Sequence, residues 1–152
     1  MSIDDLQRQL DESLETASDL TASLFSGSRL GAAGVQAFVN AVMAATVATV
    51  TAEGEPHATV VLAACHDGTI IFTASPHSLL LANLRRHPSV ALTVTNPEHD
   101  VIVRGRARLL GKAPDLPDLT DRLHRLSKKG RFTPENWPGY LYSIAIEKIF
   151  MS

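Results

Sequence analysis

The stretch from residue 72 to residue 88 carries the side chains best suited to binding an anion. It reads FTASPHSLLLANLRRHP, with Ser75, His77 and Ser78 between a predicted strand and a predicted helix. The start of a helix presents free backbone N–H groups, and serine and histidine add further donors, so this pattern is typical of an anion site. Leucines fill positions 79–81, where a phosphate site would want cations. The alternative is that the serines only cap the helix and that His77 is a solvated turn residue.

A second set of cations alternates along residues 100–111, DVIVRGRARLLG. Arg104, Arg106 and Arg108 are spaced by two, so they share one face of a predicted strand. Such a stripe either faces an anionic ligand, with Arg104 as the first candidate, or forms a solvated face that pairs with acids across the sheet.

The other residues that could do chemistry form no catalytic set. The six histidines are His57, His66, His77, His87, His99 and His124. None has the spacing of a helical zinc site, and no Ser-His-Asp order can be assigned. Cys65 is the single cysteine and precedes a predicted turn, so a small buried residue is favoured over a nucleophile. We therefore predict no metal site and assign no catalytic residue.

The bulk composition limits the partners. The chain has 152 residues, a formal net charge of −2 and 45% hydrophobic residues, which predicts one globular domain and argues against nucleic acid as a partner. A single cysteine, and a start without a basic segment followed by an apolar run, predict a cytoplasmic protein. No apolar stretch is long enough to span a membrane, and the acidic first segment has the wrong charge for anionic lipid.

The elements that must position these residues follow from periodicity and turn signals. We predict helices over residues 3–25 and 35–45, followed by three strands from Thr46 to about residue 74 with turns at 53–56 and 66–68. A helix capped by Ser75 or Ser78 and stopped by Pro88 comes next, and then strands at 90–95 and 100–111. The chain continues with a helix within 114–130, a loop, and a last strand at 140–150. This order predicts an α+β fold in which about six mainly antiparallel strands close into a small barrel with flanking helices. We expect residues 1–34 to form an N-terminal helix and linker, and residues 35–152 to form the barrel domain.

Three segments in this order resemble the pyridoxamine 5′-phosphate oxidase-like family, the FMN-binding split barrels. They are ATVATVTAEGEPHATVV, GTIIFTASPHSLLLANLRRHPSVALTV and VIVRGRARLL, and the resemblance covers roughly residues 38–111. It implies a split β-barrel, a homodimer with the cofactor at the subunit interface, and FMN or the deazaflavin F420 as that cofactor.

The family's phosphate-binding cations are largely missing from this sequence. Its two strand cations fall at about His57 and Leu62, and its Ser-Arg-Lys run falls at Ser78, Leu79 and Leu80. The serine is present, the strand arginine is at best a histidine, and the other three positions are leucine. Since each charge-assisted bond contributes about 1.5–3 kcal/mol, losing three would weaken phosphate binding on the order of a thousandfold or more.

Other groups have roles that the resemblance only suggests. Backbone groups of Val60, Val61 and Leu62 are candidates to bind a flavin ring edge, as is Thr73; the alternative is that they are ordinary strand residues. The candidates to replace the missing cations are Arg85, Arg104, Arg106, the N–H groups at the helix start, and protonated His57 or His77.

Two functions from different classes follow. The first is an FMN- or F420-linked oxidoreductase that acts on a small molecule, with the cofactor carrying the hydride. The second is a split-barrel protein without redox activity, which either binds no cofactor or takes an apolar or haem-like ligand; a haem-binding branch of this fold exists, so a histidine ligand is conceivable. The leucines at 79–81 favour the second function, whereas the FT pair, Ser78 and the NLRRHP segment favour the first.

Overall fold

Six strands form one closed antiparallel barrel in a computed structural model that describes residues 1–25, 30–126 and 137–152. The strands are β1 (Ala44–Val50), β2 (Pro56–His66), β3 (Thr69–Ala74), β4 (Ser89–Thr95), β5 (Asp100–Lys112) and β6 (Tyr140–Met151), and around the barrel they run in the order β1-β2-β3-β6-β5-β4. The helices are α1 (Ile3–Glu15), α2 (Asp19–Phe25), α3 (Ala32–Val42), α4 (Leu79–Arg86) and α5 (Pro117–Leu126), with one 3₁₀ turn at Ala113–Asp115. The predicted α+β split barrel is confirmed.

The strands form because small and β-branched residues alternate between the two faces of the sheet. In β1, Ala45, Val47 and Thr49 are buried while their neighbours face outward. The hairpin between β2 and β3 turns through Asp67 and Gly68, both with positive φ (48° and 79°), as a two-residue hairpin turn requires.

Helices α1 and α3 close the barrel where strands do not pair. The Asn40 side chain on α3 accepts from the Cys65 N–H at 2.8 Å and donates to the Cys65 carbonyl at 2.9 Å, so it takes the place of a neighbouring strand. The Ser13 hydroxyl on α1 accepts from the buried Ile149 N–H of β6 at 2.9 Å. Leu6 and Leu10 of α1 lie in the main hydrophobic core. The division of the chain at residue 34 stays a prediction.

Helix α5 packs on the outside of the barrel. Its leucines form one apolar stripe, because Leu123 is buried and Leu119 and Leu126 pack against the same cluster as Ile71 and Leu141. Residues 127–136, which include the end of this predicted helix and most of the following loop, lie outside the described residues. No helix within the described ranges is both long and apolar enough to cross a membrane.

The N-terminal segment differs from its prediction. A single helix over 3–25 is wrong: α1 ends at Thr16, whose hydroxyl bonds to the Glu12 carbonyl, and α2 starts after Ser18, whose hydroxyl accepts from the Thr21 N–H. Hydroxyl side chains that bond locally to the backbone compete with helix continuation. Helix α3 also runs earlier than predicted, since Met43 adopts a left-handed φ of 58° and ends it before β1.

Candidate ligand site

One edge of β2 is left open by its two neighbours. β2 pairs with β1 from Pro56 to Leu62, but with β3 only from Ala63 to His66. The Ala63 N–H donates to the Met43 carbonyl on the β1 side at 2.7 Å, whereas the Leu62 carbonyl accepts from the Thr73 hydroxyl on the β3 side at 3.4 Å. Within the part of the chain that the structure describes, no strand covers this edge between Pro56 and Val61.

The open edge presents both donors and acceptors. Main-chain groups of alternate residues point to opposite edges of a strand. Since Ala63 bonds toward β1, the N–H and C=O groups of Ala58 and Val60 and the N–H of Leu62 point away from it. Val61 differs, because its main chain faces Ala45 of β1 and its side chain packs against the core. Of the three predicted edge residues, Val60 and Leu62 therefore contribute main-chain groups and Val61 does not.

The side chains beside this edge are apolar. The Val60 side chain points to the outer face of the barrel and is 69% exposed. Leu62 lies on the same face and packs against the cluster under α5. Thr73 is buried, and its hydroxyl donates a hydrogen bond to the Leu62 carbonyl. Thr73 thus fixes the point where β3 departs from β2.

The turn that leads into α4 begins where β3 leaves β2. The Ser75 carbonyl accepts from the Ser78 N–H at 3.3 Å and from the Ser78 hydroxyl at 2.7 Å. Pro76 and a left-handed His77 (φ 61°) occupy the central positions, as in a type II turn. The Ser78 hydroxyl also accepts from the Leu81 N–H at 3.1 Å. Of the two candidate caps, Ser78 caps α4, and its hydroxyl is engaged within the turn; Ser75 and His77 are exposed.

The three leucines after Ser78 have different environments. Leu79 is 48% exposed, whereas Leu80 and Leu81 are buried in the main core at 2% and 4% exposure. Position 80 is therefore a packing position, and only Leu79 stands where a side chain could reach a ligand at the helix start. The first turn of α4 offers backbone N–H groups but no cation.

A buried polar cluster lies beneath α4. Asn83, fully buried, donates from Nδ2 to the Thr49 hydroxyl at 3.0 Å. His57 is the cross-strand partner of Thr49 and shares its inward face. Among the described residues, His57 Nδ1 and Asn83 Oδ1 are buried without a hydrogen-bond partner. His57 thus projects into the barrel instead of extending toward a ligand phosphate.

Sequence patterns did not single out Thr49 and Asn83. The signal was a polar residue inside the apolar stripe of the NLRRHP segment. In a helical periodicity such a residue is only a gap in the apolar stripe, and the periodicity does not show which strand supplies its hydrogen-bond partner.

The two candidate cations differ in their position relative to the open edge and its turn. Arg104 is exposed on β5, and cross-strand pairing links it through Ala91 and Ala48 to Ala58 of β2. Three inter-strand spacings of about 4.8 Å separate Arg104 from Ala58 by about 14 Å. The Arg85 guanidinium lies 5.3 Å from the centre of the Tyr140 ring. Tyr140 pairs with Ala74, which directly precedes the turn at the start of α4, so Arg85 lies near this turn without a hydrogen bond to it in the described chain.

Among the described residues, neither an activated nucleophile nor a metal cluster lies near the edge. Burial raises the pKa of the Cys65 thiol to about 12, so the reactive thiolate is scarce at neutral pH. Burial also raises the pKa of Tyr142, which stacks on Phe72 with the ring centres 5.6 Å apart. Within residues 1–25, 30–126 and 137–152, no three His, Cys, Asp or Glu side chains are grouped as a metal site requires.

The fold places this chain among the split β-barrel proteins, and the sequence identifies the family. The profile of the pyridoxamine 5′-phosphate oxidase family matches residues 33–150, so the chain belongs to that family. A search of curated proteins gave no significant match.

Solved structures resemble this fold. A conserved hypothetical protein of Mycobacterium tuberculosis has a TM-score of 0.64 at 23% identity, over 81% of this chain and 84% of that one. An F420 reductase has a TM-score of 0.63 at 17% identity, over 75% and 94%. A heme-binding protein of Mycobacterium smegmatis has a TM-score of 0.63 at 16% identity, over 82% and 55%. At these identities the likeness establishes the fold and leaves the ligand open.

Proposed function

We propose that this protein is an FMN- or F420-linked oxidoreductase that acts as a homodimer on a small molecule. The cofactor ring would lie along the open edge of β2, with the turn at Ser75–Ser78 beside it. When bound, the cofactor would supply the hydride chemistry, while the protein would orient the ring and exclude water. The F420 reductase among the structural neighbours supports this class of reaction by analogy of fold.

The observation that carries the proposal is the unpaired edge of β2. The pyrimidine-dione edge of a flavin or deazaflavin alternates carbonyl acceptors with an N–H donor. Val60 presents an N–H and a C=O, and Leu62 presents a further N–H, so this edge is complementary to such a ring. An exposed Val60 side chain on the same strand provides apolar surface for the flat ring system.

The phosphate of the cofactor fits less well than its ring. The first turn of α4 carries no cation, position 80 is buried in the core, and His57 faces inward. In the described turn, the backbone N–H groups at the start of α4 and the exposed side chains of Ser75 and His77 remain as donors. We therefore expect the ring to provide most of the binding free energy.

A titration of the purified protein with riboflavin, FMN and F420 tests the proposal, with binding followed by flavin fluorescence quenching. Because phosphate-binding cations are missing, we expect FMN to bind no more than about tenfold more tightly than riboflavin, which corresponds to about 1.4 kcal/mol. If the protein instead binds FMN on the order of a thousandfold more tightly than riboflavin, cations of the protein must bind the phosphate, and the proposed absence of a phosphate site is wrong. If none of the three binds at micromolar concentration, the oxidoreductase function is ruled out.

The second candidate is a binding protein for an apolar or haem-like ligand. The exposed Leu79 and Val60 favour it, because they place apolar side chains on either side of the turn instead of cations. His77, exposed and held in a left-handed conformation, is the available axial ligand for a haem iron. A titration with haemin separates the two candidates: a Soret shift that is lost in His77→Ala supports haem binding, and an unchanged spectrum excludes it.

A further inference from the structure

A groove of about 520 Å³ crosses the outer face of the barrel, from Pro56 at the start of β2 over β1 and β4 to β5 and β6. Its floor is made of small side chains, among them Ala48 of β1 and Ala91 of β4, which are cross-strand partners. Arg104 and Lys148 line one side of it. The volume falls in the range of small-ligand sites, and the floor is smooth enough for a slim apolar body.

The two cations of the groove are directly opposed across strands. Arg104 of β5 pairs with Lys148 of β6, so both side chains lie on the outer face. Like charges in this arrangement repel each other, which destabilises the sheet unless a counter-charge is present. Arg104 makes no hydrogen bond or ion pair to any residue the structure describes, and Lys148 donates only to the Thr16 hydroxyl.

A β-bulge creates this arrangement. The register places Arg104 opposite Lys148 and Gly105 opposite Ile146, so Glu147 is the extra residue on β6. Glu147 also lines the groove, but it forms no ion pair with either cation in the described chain. One acid beside two cations leaves the groove with a net positive charge.

We propose that this groove is a second binding site, apart from the Val60 and Leu62 main-chain groups of β2, and that it takes a small organic oxyanion. The carboxylate or phosphate group would bridge Arg104 and Lys148, and a slim apolar body would lie on the alanine floor. This inference does not rest on the proposed flavin site, because neither Val60 nor Leu62 lines the groove.

An NMR titration of the full chain tests the site, with hexanoate, hexyl phosphate and inorganic phosphate as probes at constant ionic strength. We expect saturable shifts of the Ala91, Arg104 and Lys148 amides, with hexyl phosphate binding more tightly than inorganic phosphate because its chain covers the floor. Comparison of hexanoate with hexyl phosphate then tells which oxyanion is preferred. Absence of saturable shifts up to about 10 mM of every probe would overturn the proposal, since binding weaker than that has no specific site.

Matched charge variants complete the test. Arg104→Gln and Lys148→Gln should each weaken hexyl phosphate binding about tenfold or more, because each removes a charge-assisted bond. Arg106→Gln removes the same charge from the same face of β5, outside the groove, and should change the affinity less than about twofold. Equal losses in all three variants, or no loss in Arg104→Gln, would show that a general basic surface is responsible and would refute the site. Riboflavin titration of the same variants keeps this result distinct from the flavin proposal.

Discussion

At the scale of single residues, the segment FTASPHSLLLANLRRHP, which resembles the family, contributes mainly to folding and packing. Ser78 caps α4, Leu80 packs in the core, and Asn83 bonds to Thr49 beneath the helix. The sequence analysis could identify the capping serines from residue type. It could not predict that leucines 79 and 80 would have opposite exposures, because that depends on the rotation of a two-turn helix against the barrel. Residue identity alone therefore overstated how much of this segment could contact a ligand.

The Asn83–Thr49 hydrogen bond gives a prediction about stability. Thr49→Val would leave the buried Asn83 Nδ2 without its acceptor and should lower the free energy of unfolding by about 1–3 kcal/mol. Asn83→Leu should cost a similar amount, since it removes the donor from the buried Thr49 hydroxyl. Urea unfolding of both variants measures these losses.

The double variant Thr49→Val/Asn83→Leu is the control for this bond. It removes both partners together, so its loss should be clearly smaller than the sum of the two single losses. Strictly additive losses would mean that the bond is not what couples α4 to β1.

At the scale of elements, the β-bulge between β5 and β6 explains why position 105 is a glycine. Gly105 sits in the V-x-G-x-A pattern of β5, and a Cβ there would lie 2.1 Å from the Ala145 carbonyl oxygen. The bulge brings the two backbones into this close approach. Alternation predicted strand β5 and the shared face of its arginines. The bulge was not predictable, because it depends on a residue of β6 that lies 42 positions later.

Gly105→Ala should therefore destabilise the barrel by about 2–3 kcal/mol, since a backbone oxygen cannot move aside as a flexible side chain can. Gly54→Ala is the matched control: Gly54 has a φ of 80° but no atom within 4 Å of the added Cβ. Its cost should be near the roughly 1–2 kcal/mol of a left-handed non-glycine residue. Thermal and urea unfolding compare the two, and a Gly105→Ala variant as stable as the wild-type protein would be incompatible with the bulge geometry.

At the scale of the whole molecule, the fold was predictable and the site was only partly so. Six strands, two hairpin turns and the order of helices follow from local patterns, and short connections leave few ways to close an antiparallel barrel. The open edge of β2 arises because β3 turns away at Thr73 toward α4, which is a property of the assembled barrel. Likewise, the separation of Arg104 from that edge depends on strand order, and β4 and β1 intervene.

The homodimer is a proposal at this same scale. The outer face of β2 carries the exposed Val60, which a second subunit would cover. Sedimentation of the purified chain measures the oligomeric state. If the chain is a monomer at micromolar concentration, the proposed homodimer is wrong, whereas the open edge of β2 is unaffected.

The most direct test of the central claim is the affinity for riboflavin of two variants at position 60. Val60→Pro removes the Val60 N–H, which lies between those of Ala58 and Leu62 on the open edge, and it breaks no bond to β1. Val60→Ala keeps that N–H and removes the side chain. We expect Val60→Pro to weaken riboflavin binding at least about tenfold and Val60→Ala to change it less than about threefold. A folded Val60→Pro variant that binds riboflavin like the wild-type protein would contradict the claim that the edge of β2 holds the ring.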